Sequence, residues 1–296
     1  MNYILDYLEE LEAEAIYILR EVYEQFENSC LMFSGGKDSI VLIHLAKKAF
    51  YPTKIPFKIL HIDSGHNFHE IIEFREKLIK NENLDLIVAS VEDYARINDY
   101  SEKEFPDRNR LQIPVLLDII KKENFDAAIG GGRRDEEKAR AKERVFSHRN
   151  IRGQWDPENQ RPELWNIYNG NKKEKEHFRI FPLSNWTELD IWHYIKKERI
   201  EIPAIYFSHK RKVIITNGII LAASDYSVNN YKVIEKKVRC RTVGDINTTG
   251  LWESEAKTID DIIKEISVSG IGERGKRTDD KFSITSMEDR KRKGYF

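Results

Sequence analysis

Apolar residues recur at three- and four-residue steps from the start of the chain. Ile4, Leu8, Leu11, Ala15, Ile18, Leu19, Val22 and Phe26 follow one another with Glu and Arg between them. That period places them on one face of a helix over 1–27. The pattern then switches to short apolar runs alternating with amphipathic stretches. A strand over 30–33 ends at Ser34-Gly35-Gly36 and is followed by a helix over 39–50. A strand over 57–62 closes at Asp63-Ser64-Gly65, with a helix over 68–79 behind it. Further on come a strand over 84–89, a helix over 114–122, a strand over 125–129 running into Gly130-Gly131-Gly132, and a helix over 133–146. This alternation predicts an α/β fold with a doubly wound, mainly parallel sheet. Ligands of such sheets bind at the carboxyl ends of the strands. Three of those ends, at 34–39, 61–65 and 130–140, carry the most unusual residues of the chain.

The stretch 149–179 is polar and irregular and reads as a long surface loop, a length that is usually functional. A helix over 187–197 follows, with Thr187 and Asp190 spaced as a capping box. Asn217-Gly218 between two apolar runs predicts a hairpin with a type I′ turn over 212–222. A last helix is expected over 258–267, and the end of the chain, 270–296, is charged, with eight Lys/Arg against five Asp/Glu. The expected division is a nucleotide-binding catalytic domain over 1–205 and a C-terminal extension over 206–296, holding a β-hairpin and a helix and contacting a partner.

Composition narrows the chemistry. Lys and Arg (49) nearly balance Asp and Glu (50), so no basic nucleic-acid footprint is expected and any anion site must come from local placement. Only Cys30 and Cys240 occur, with no Cys-x-x-Cys pair, which leaves a disulfide scaffold, a structural zinc and a dithiol motif unsupported. Acids interrupt the first apolar residues and no apolar stretch is long enough to span a bilayer. A soluble, cytoplasmic protein is the expectation.

Ser34-Gly35-Gly36-Lys37-Asp38-Ser39 lies between a strand and a helix. Glycines let the backbone turn tightly and bring its N–H groups against an anion. The helix start adds about half a positive charge and free donors. With two hydroxyls and Lys37, the loop suits pyrophosphate. It is not a Walker A loop, since Leu31 stands where the first glycine belongs, nor is there a Gly-x-Gly-x-x-Gly fingerprint. The ordinary alternative is a strand–turn–helix with Asp38 as a cap.

The second cluster is Gly130-Gly-Gly-Arg133-Arg134, continuing through Lys138, Arg140 and Arg144. It would place guanidinium groups and free N–H donors together at a strand end. Interleaved Asp135, Glu136, Glu137 and Glu143 also fit a solvated, ion-paired helix.

Ser-Gly-Gly-x-Asp-Ser closing the first strand resembles the pyrophosphate loop of the PP-loop ATP pyrophosphatases. That resemblance implies ATP cleaved between its α and β phosphates, adenylation of a substrate, and Mg²⁺, for which Asp38 is a candidate ligand. It also places Asp63 near the adenosine. A doubly charged acceptor 4 Å from one phosphate charge meets repulsion of about 8 kcal/mol at an effective dielectric of 20. Bidentate arginines are suited to holding both anions.

The resemblance sharpens over Phe33–Ser39, the arginine block 130–144, Gln154-Trp-Asp-Pro157, Asn159-Gln-Arg-Pro-Glu-Leu-Trp-Asn166, the run 181–192 and the closing Gly294-Tyr-Phe296. These look like the small, catalytic subunits of bacterial sulfate adenylyltransferases, with an adenine nucleotide alpha hydrolase-like fold. The resemblance implies AMP transfer from ATP to sulfate, with a larger GTPase subunit as partner and neither nucleic acid nor membrane. It assigns Lys37, Asp38, Arg133 and Arg134 to catalysis, and Ser34, Gly35, Gly36, Lys37, Asp38, Ser39 and Asp63 to the nucleotide. Arg133, Arg134, Lys138, Arg140 and Arg144 fall to sulfate. The rival is a phosphoadenylyl sulfate reductase-like enzyme, or another PP-loop enzyme adenylating a different acceptor. A reductase of that kind needs a reactive cysteine near a mobile C-terminus, and the tail has none.

Overall fold

The computed structural model describes residues 5–99, 108–136, 143–224, 231–269 and 273. Helix α1 (Tyr7–Gln25) starts with a reciprocal capping box between Asp6 and Glu9 and buries Leu11, Ala15, Ile18, Leu19 and Val22. Strand β1 (Ser29–Met32), helix α2 (Lys37–Phe50), strand β2 (Lys58–Asp63), helix α3 (His69–Glu82) and strand β3 (Leu86–Ser90) follow the predicted alternation. A short helix α4 (Val91–Ile97), which the pattern did not announce, follows directly on Ser90, whose hydroxyl caps it. Helix α5 (Arg108–Glu123) contains Pro114, and strand β4 (Ala127–Ile129) completes the predicted series.

The central sheet has the order β3-β2-β1-β4-β6-β5, where β5 is Phe146–Arg149 and β6 is His177–Ile180. All pairings are parallel except β5 with β6. One face packs on α1, α2, α3 and helix α6 (Glu188–Glu198), with Leu19, Leu42, Phe68 and Trp192 in its core. The other packs on α4 and α5 through Cys30, Leu60, Val91, Leu116 and Phe125. Helices on both faces of a mainly parallel sheet make the doubly wound fold that the alternation predicted.

Two expectations are corrected at this edge. The helix over 133–146 is absent from the described part of that range: 134–136 form a turn and Phe146 opens β5. The long loop ends earlier than 179, because His177 already pairs in β6. Both strands carry buried charge, Arg149 and Arg179 being fully covered, which disguised them as surface.

Thr187 and Asp190 form the expected capping box on α6. The hairpin is present as β7 (His209–Thr216) and β8 (Ile219–Ala222), with positive φ at both Asn217 and Gly218 as a type I′ turn requires. It is part of a larger unit. Strands β9 (Ile234–Cys240) and β10 (Leu251–Glu253) close it into a small antiparallel barrel ordered β10-β8-β7-β9. Helix α7 (Ile259–Ser267) is capped by Thr258. The barrel is tied to the sheet domain by Arg241, which chelates Glu188 at the start of α6, and by the Ile246 amide on the His66 carbonyl. Among the described residues no helix is long and apolar enough to cross a membrane.

Candidate active site

The loop after β1 turns through Gly35 at φ +73°, where a Cβ would lie 2.3 Å from Cγ2 of Ile71. Only glycine fits both the left-handed backbone and that space. Gly36 caps α2, its amide reaching the Ser34 hydroxyl at 3.3 Å, and the Ser39 hydroxyl donates back to the Gly36 carbonyl at 2.8 Å. Ser34 and Ser39 thus stand 3.5 Å apart across the mouth of the helix. The first-turn amides of α2 have no partner within the helix, and Asp38 in that turn complements its dipole.

The strand end after β4 reaches the same place. Gly131 lies so close that a Cβ there would sit 3.0 Å from the Asp38 Cβ and 3.3 Å from the Ser39 nitrogen. The missing side chain leaves the first turn of α2 uncovered on that side. Arg133 folds over the junction, its Nε donating to Asp38 Oδ1 at 2.6 Å. Arg134 is held differently: its amide bonds the Ser184 carbonyl at 3.0 Å, and its guanidinium reaches the Asn185 side chain. Asp135 accepts from the Glu188 amide at 3.1 Å and so fixes this turn to the start of α6.

Two residues to which the sequence assigned no site role complete the cluster. The Tyr206 hydroxyl, fully buried, accepts the Lys37 amide at 2.8 Å. Glu273 bridges the Lys37 ammonium and the Arg133 guanidinium. Both arrive from distant parts of the chain, and although Glu273-Arg-Gly275 also resembles the family, nothing local ties either residue to the loop.

Burial and charge compete in this cluster. Burial raises the Asp38 carboxyl, but Arg133 and Lys37 overcome it and hold the group below the usual carboxylate range. Burial lowers Lys37, but Asp38 and Glu273 outweigh it and keep the ammonium charged. Burial pushes the Glu273 carboxyl up while Arg133 and Lys37 pull against it.

The predicted site residues therefore divide. Ser34, Gly35, Gly36, Lys37, Asp38, Ser39 and Arg133 meet at one point, and Arg134 flanks it. Arg144 is exposed, beyond the Glu143 carbonyl on which Arg134 Nη2 rests. Lys138 and Arg140 lie outside the described residues. Asp63 accepts from the Gly65 amide and the Asn67 side chain, forming the turn after β2. Asp38 has its two oxygens on Arg133 and Lys37. Among the described residues no cluster of three or more His, Cys, Asp or Glu is placed to hold a metal. A separate cavity of about 350 Å³ lies under the 150–176 loop, lined among others by His148, Arg161 and Lys172.

The phosphoadenosine phosphosulfate reductase domain family matches residues 28–251. Sulfate adenylyltransferase subunit 2 of Mycolicibacterium gilvum is 53% identical over 100% of this chain and 96% of its own length. The protein of the same name from Mycobacterium tuberculosis is 52% identical with the same coverage. Among solved structures, phosphoadenylyl-sulfate reductase from Candida auris superposes with a TM-score of 0.45 at 16% identity, over 69% of this chain and 92% of that one. Identity above one half across the whole chain, with a loop and arginine turn that converge in space, leads to one conclusion: the chain belongs to the sulfate adenylyltransferase subunit 2 family.

Proposed function

We propose that this chain transfers AMP from ATP to sulfate, giving adenylyl sulfate and pyrophosphate. The observation that supports it most is the meeting of the Ser34–Ser39 loop with the Arg133 turn. Donors suited to a polyphosphate and a cation suited to a second anion share one strand-end junction.

A sulfate oxygen attacks the α-phosphorus, the bond to the bridging β-phosphate oxygen breaks, and pyrophosphate leaves. Sulfate brings no proton to be removed, so the protein needs no general base for the attack. Its work is to hold two anions in line and to offset the charge growing on the leaving pyrophosphate. We assign the α2 amides and the Ser34 and Ser39 hydroxyls to the leaving group, Arg134 to the acceptor, and Arg133 to an oxyanion at the junction between them. Asp38 is the candidate carboxylate that, together with the nucleotide's phosphates, would hold magnesium, which would offset the phosphate charge. Asp63 at the end of β2 is assigned to the ribose side.

The relatives are called subunit 2, a name that implies a companion subunit. We assign GTP hydrolysis to a larger companion, since this chain has no Walker A loop. The barrel region, 206–296, is assigned to that contact, and the reactants place the work in the cytoplasm. Reduction, the chemistry in the name of the matching domain family, is disfavoured by the thiols. Cys30 and Cys240 are both fully buried, and burial pushes each up to about 12.

The test is pyrophosphate release from ATP and Mg²⁺, with and without sulfate, by this chain alone and with a matching GTPase subunit and GTP. Release that needs sulfate and rises with the companion supports the assignment. Release indifferent to sulfate under both conditions removes sulfate as the acceptor.

A further inference from the structure

Lys37 and Arg133 come from different strand ends and meet on one carboxylate. One oxygen of Glu273 faces the Lys37 ammonium and the other faces Nη2 of Arg133. Both cations are only 1% exposed, so solvent molecules do not reach them while Glu273 is seated. With Asp38, and with Asp135 Oδ2 at 3.5 Å from Arg133 Nη1, the two cations face three carboxylates before any substrate arrives.

That arrangement is hard to reconcile with a permanent seat for Glu273 if the cations serve anionic substrates. A sulfate or phosphoryl group close to a fixed carboxylate meets like-charge repulsion, which is strong where water is excluded. A carboxylate that bridges two cations with its two oxygens also has the shape of the request. Sulfate and phosphate offer the same paired oxygens to ammonium and guanidinium donors.

We propose that Lys37 and Arg133 form an oxyanion subsite, and that Glu273 is its internal occupant until a tetrahedral oxyanion displaces it. Asp38, bonded to Arg133 Nε and to the Lys37 ammonium, keeps both cations in place during the exchange. The inference rests on the adenylyl-transfer reading above for its two candidate ligands, sulfate and a phosphoryl group of the nucleotide. Displacement makes occupancy by substrate conditional, because the oxyanion must outcompete a tethered carboxylate.

The experiment is calorimetric titration of the full chain with inorganic pyrophosphate and, separately, with sodium sulfate, comparing wild type with Glu273→Gln. The amide keeps the size of the side chain and removes the competing charge. At least tenfold tighter binding of one of the two anions is expected, and which anion gains tells whether the subsite serves the leaving group or the acceptor. Equal or weaker binding of both anions by Glu273→Gln overturns the proposal and makes Glu273 a fixed clamp on the two cations. Wild-type chain crystallised with pyrophosphate or sulfate gives a second reading that needs no variant. Glu273 released from Lys37 and Arg133 is expected, and Glu273 still bridging both with the anion bound elsewhere overturns it. Sulfate-dependent pyrophosphate release is scored separately. A wild type that turns over while Glu273→Gln gains nothing sinks only the subsite, and tighter binding without transfer to sulfate sinks only the reaction.

Discussion

Arg133 Nε donates to Asp38 Oδ1 at 2.6 Å across a separation of 95 residues. This contact joins the turn after β4 to the first turn of α2, and so joins the two halves of the proposed site. Arg133 is fully covered while Asp38 is only part-buried, so rupture of the pair strands the buried Arg133 charge. Asp38→Ala is expected to abolish turnover and to destabilise the fold near the low end of the ~3–5 kcal/mol typical of broken buried pairs. Glu273 remains as a second partner for Arg133 and limits the loss. Urea unfolding checks the stability and pyrophosphate release the turnover. A variant with wild-type stability would show that the contact does not hold the halves together.

Gly131→Ala tests the close approach on the other side. The new methyl would lie 3.0 Å from the Asp38 Cβ and 3.2 Å from the Asp38 carbonyl carbon, and the helix backbone has little room to give. Overpacking of this kind costs about 1–3 kcal/mol. We expect a fall in kcat/KM of tenfold or more, with a smaller loss in melting temperature than Asp38→Ala produces. Full activity in Gly131→Ala would show that the gap beside α2 is not used.

Tyr206→Phe removes the acceptor of the Lys37 amide and leaves a buried donor unpaired. The cost of such a donor is about 1–3 kcal/mol. Because Tyr206 belongs to the segment leading into the barrel, the loss should appear both in thermal unfolding and as a raised KM for ATP. An unchanged KM would make Tyr206 a purely structural cap.

The local layer of this architecture was legible in the sequence, and the non-local layer was not. Helix α1, the β1–α2 and β2–α3 units and the Asn217-Gly218 hairpin each follow from residues adjacent in the chain. The phosphate loop was readable for the same reason, since its glycines and hydroxyls sit within six positions. Strands β5 and β6 were missed because Arg149, His177 and Arg179 look like surface residues, and only tertiary packing buries them. The expected helix from Arg133 was drawn from charges at helical spacing, yet Arg133 to Glu136 turn in order to reach Asp38, Ser184 and Glu188. Tyr206 and Glu273 carried no motif that the site reasoning used. What makes them part of the site is distance in space, 169 and 236 residues along the chain from Lys37.

Acid sensitivity follows from two buried histidines. Burial lowers His177 well below its ordinary 6.5, with Arg179 and Arg149 adding to it, and its Nε2 has no hydrogen-bond partner among the described residues. Burial also lowers His61, against its bond to the Phe33 carbonyl at 2.8 Å. Below 6.5 the unfolded chain binds protons that the folded chain refuses, so stability is complete above that pH and falls as pH drops toward the folded values. The urea midpoint should therefore decline from pH 7 to pH 5. His177→Gln should flatten that decline in part and leave the contribution of His61. An equally steep decline in His177→Gln would contradict the assignment.

The most direct test of the central claim is exchange of radiolabelled pyrophosphate into ATP by the chain with its companion subunit, GTP and Mg²⁺, measured as sulfate is varied. Adenylyl transfer to sulfate at the Ser34–Ser39 loop predicts exchange that needs sulfate, saturates with it and disappears in Asp38→Ala. Exchange that proceeds equally without sulfate, or that survives in Asp38→Ala, would contradict it.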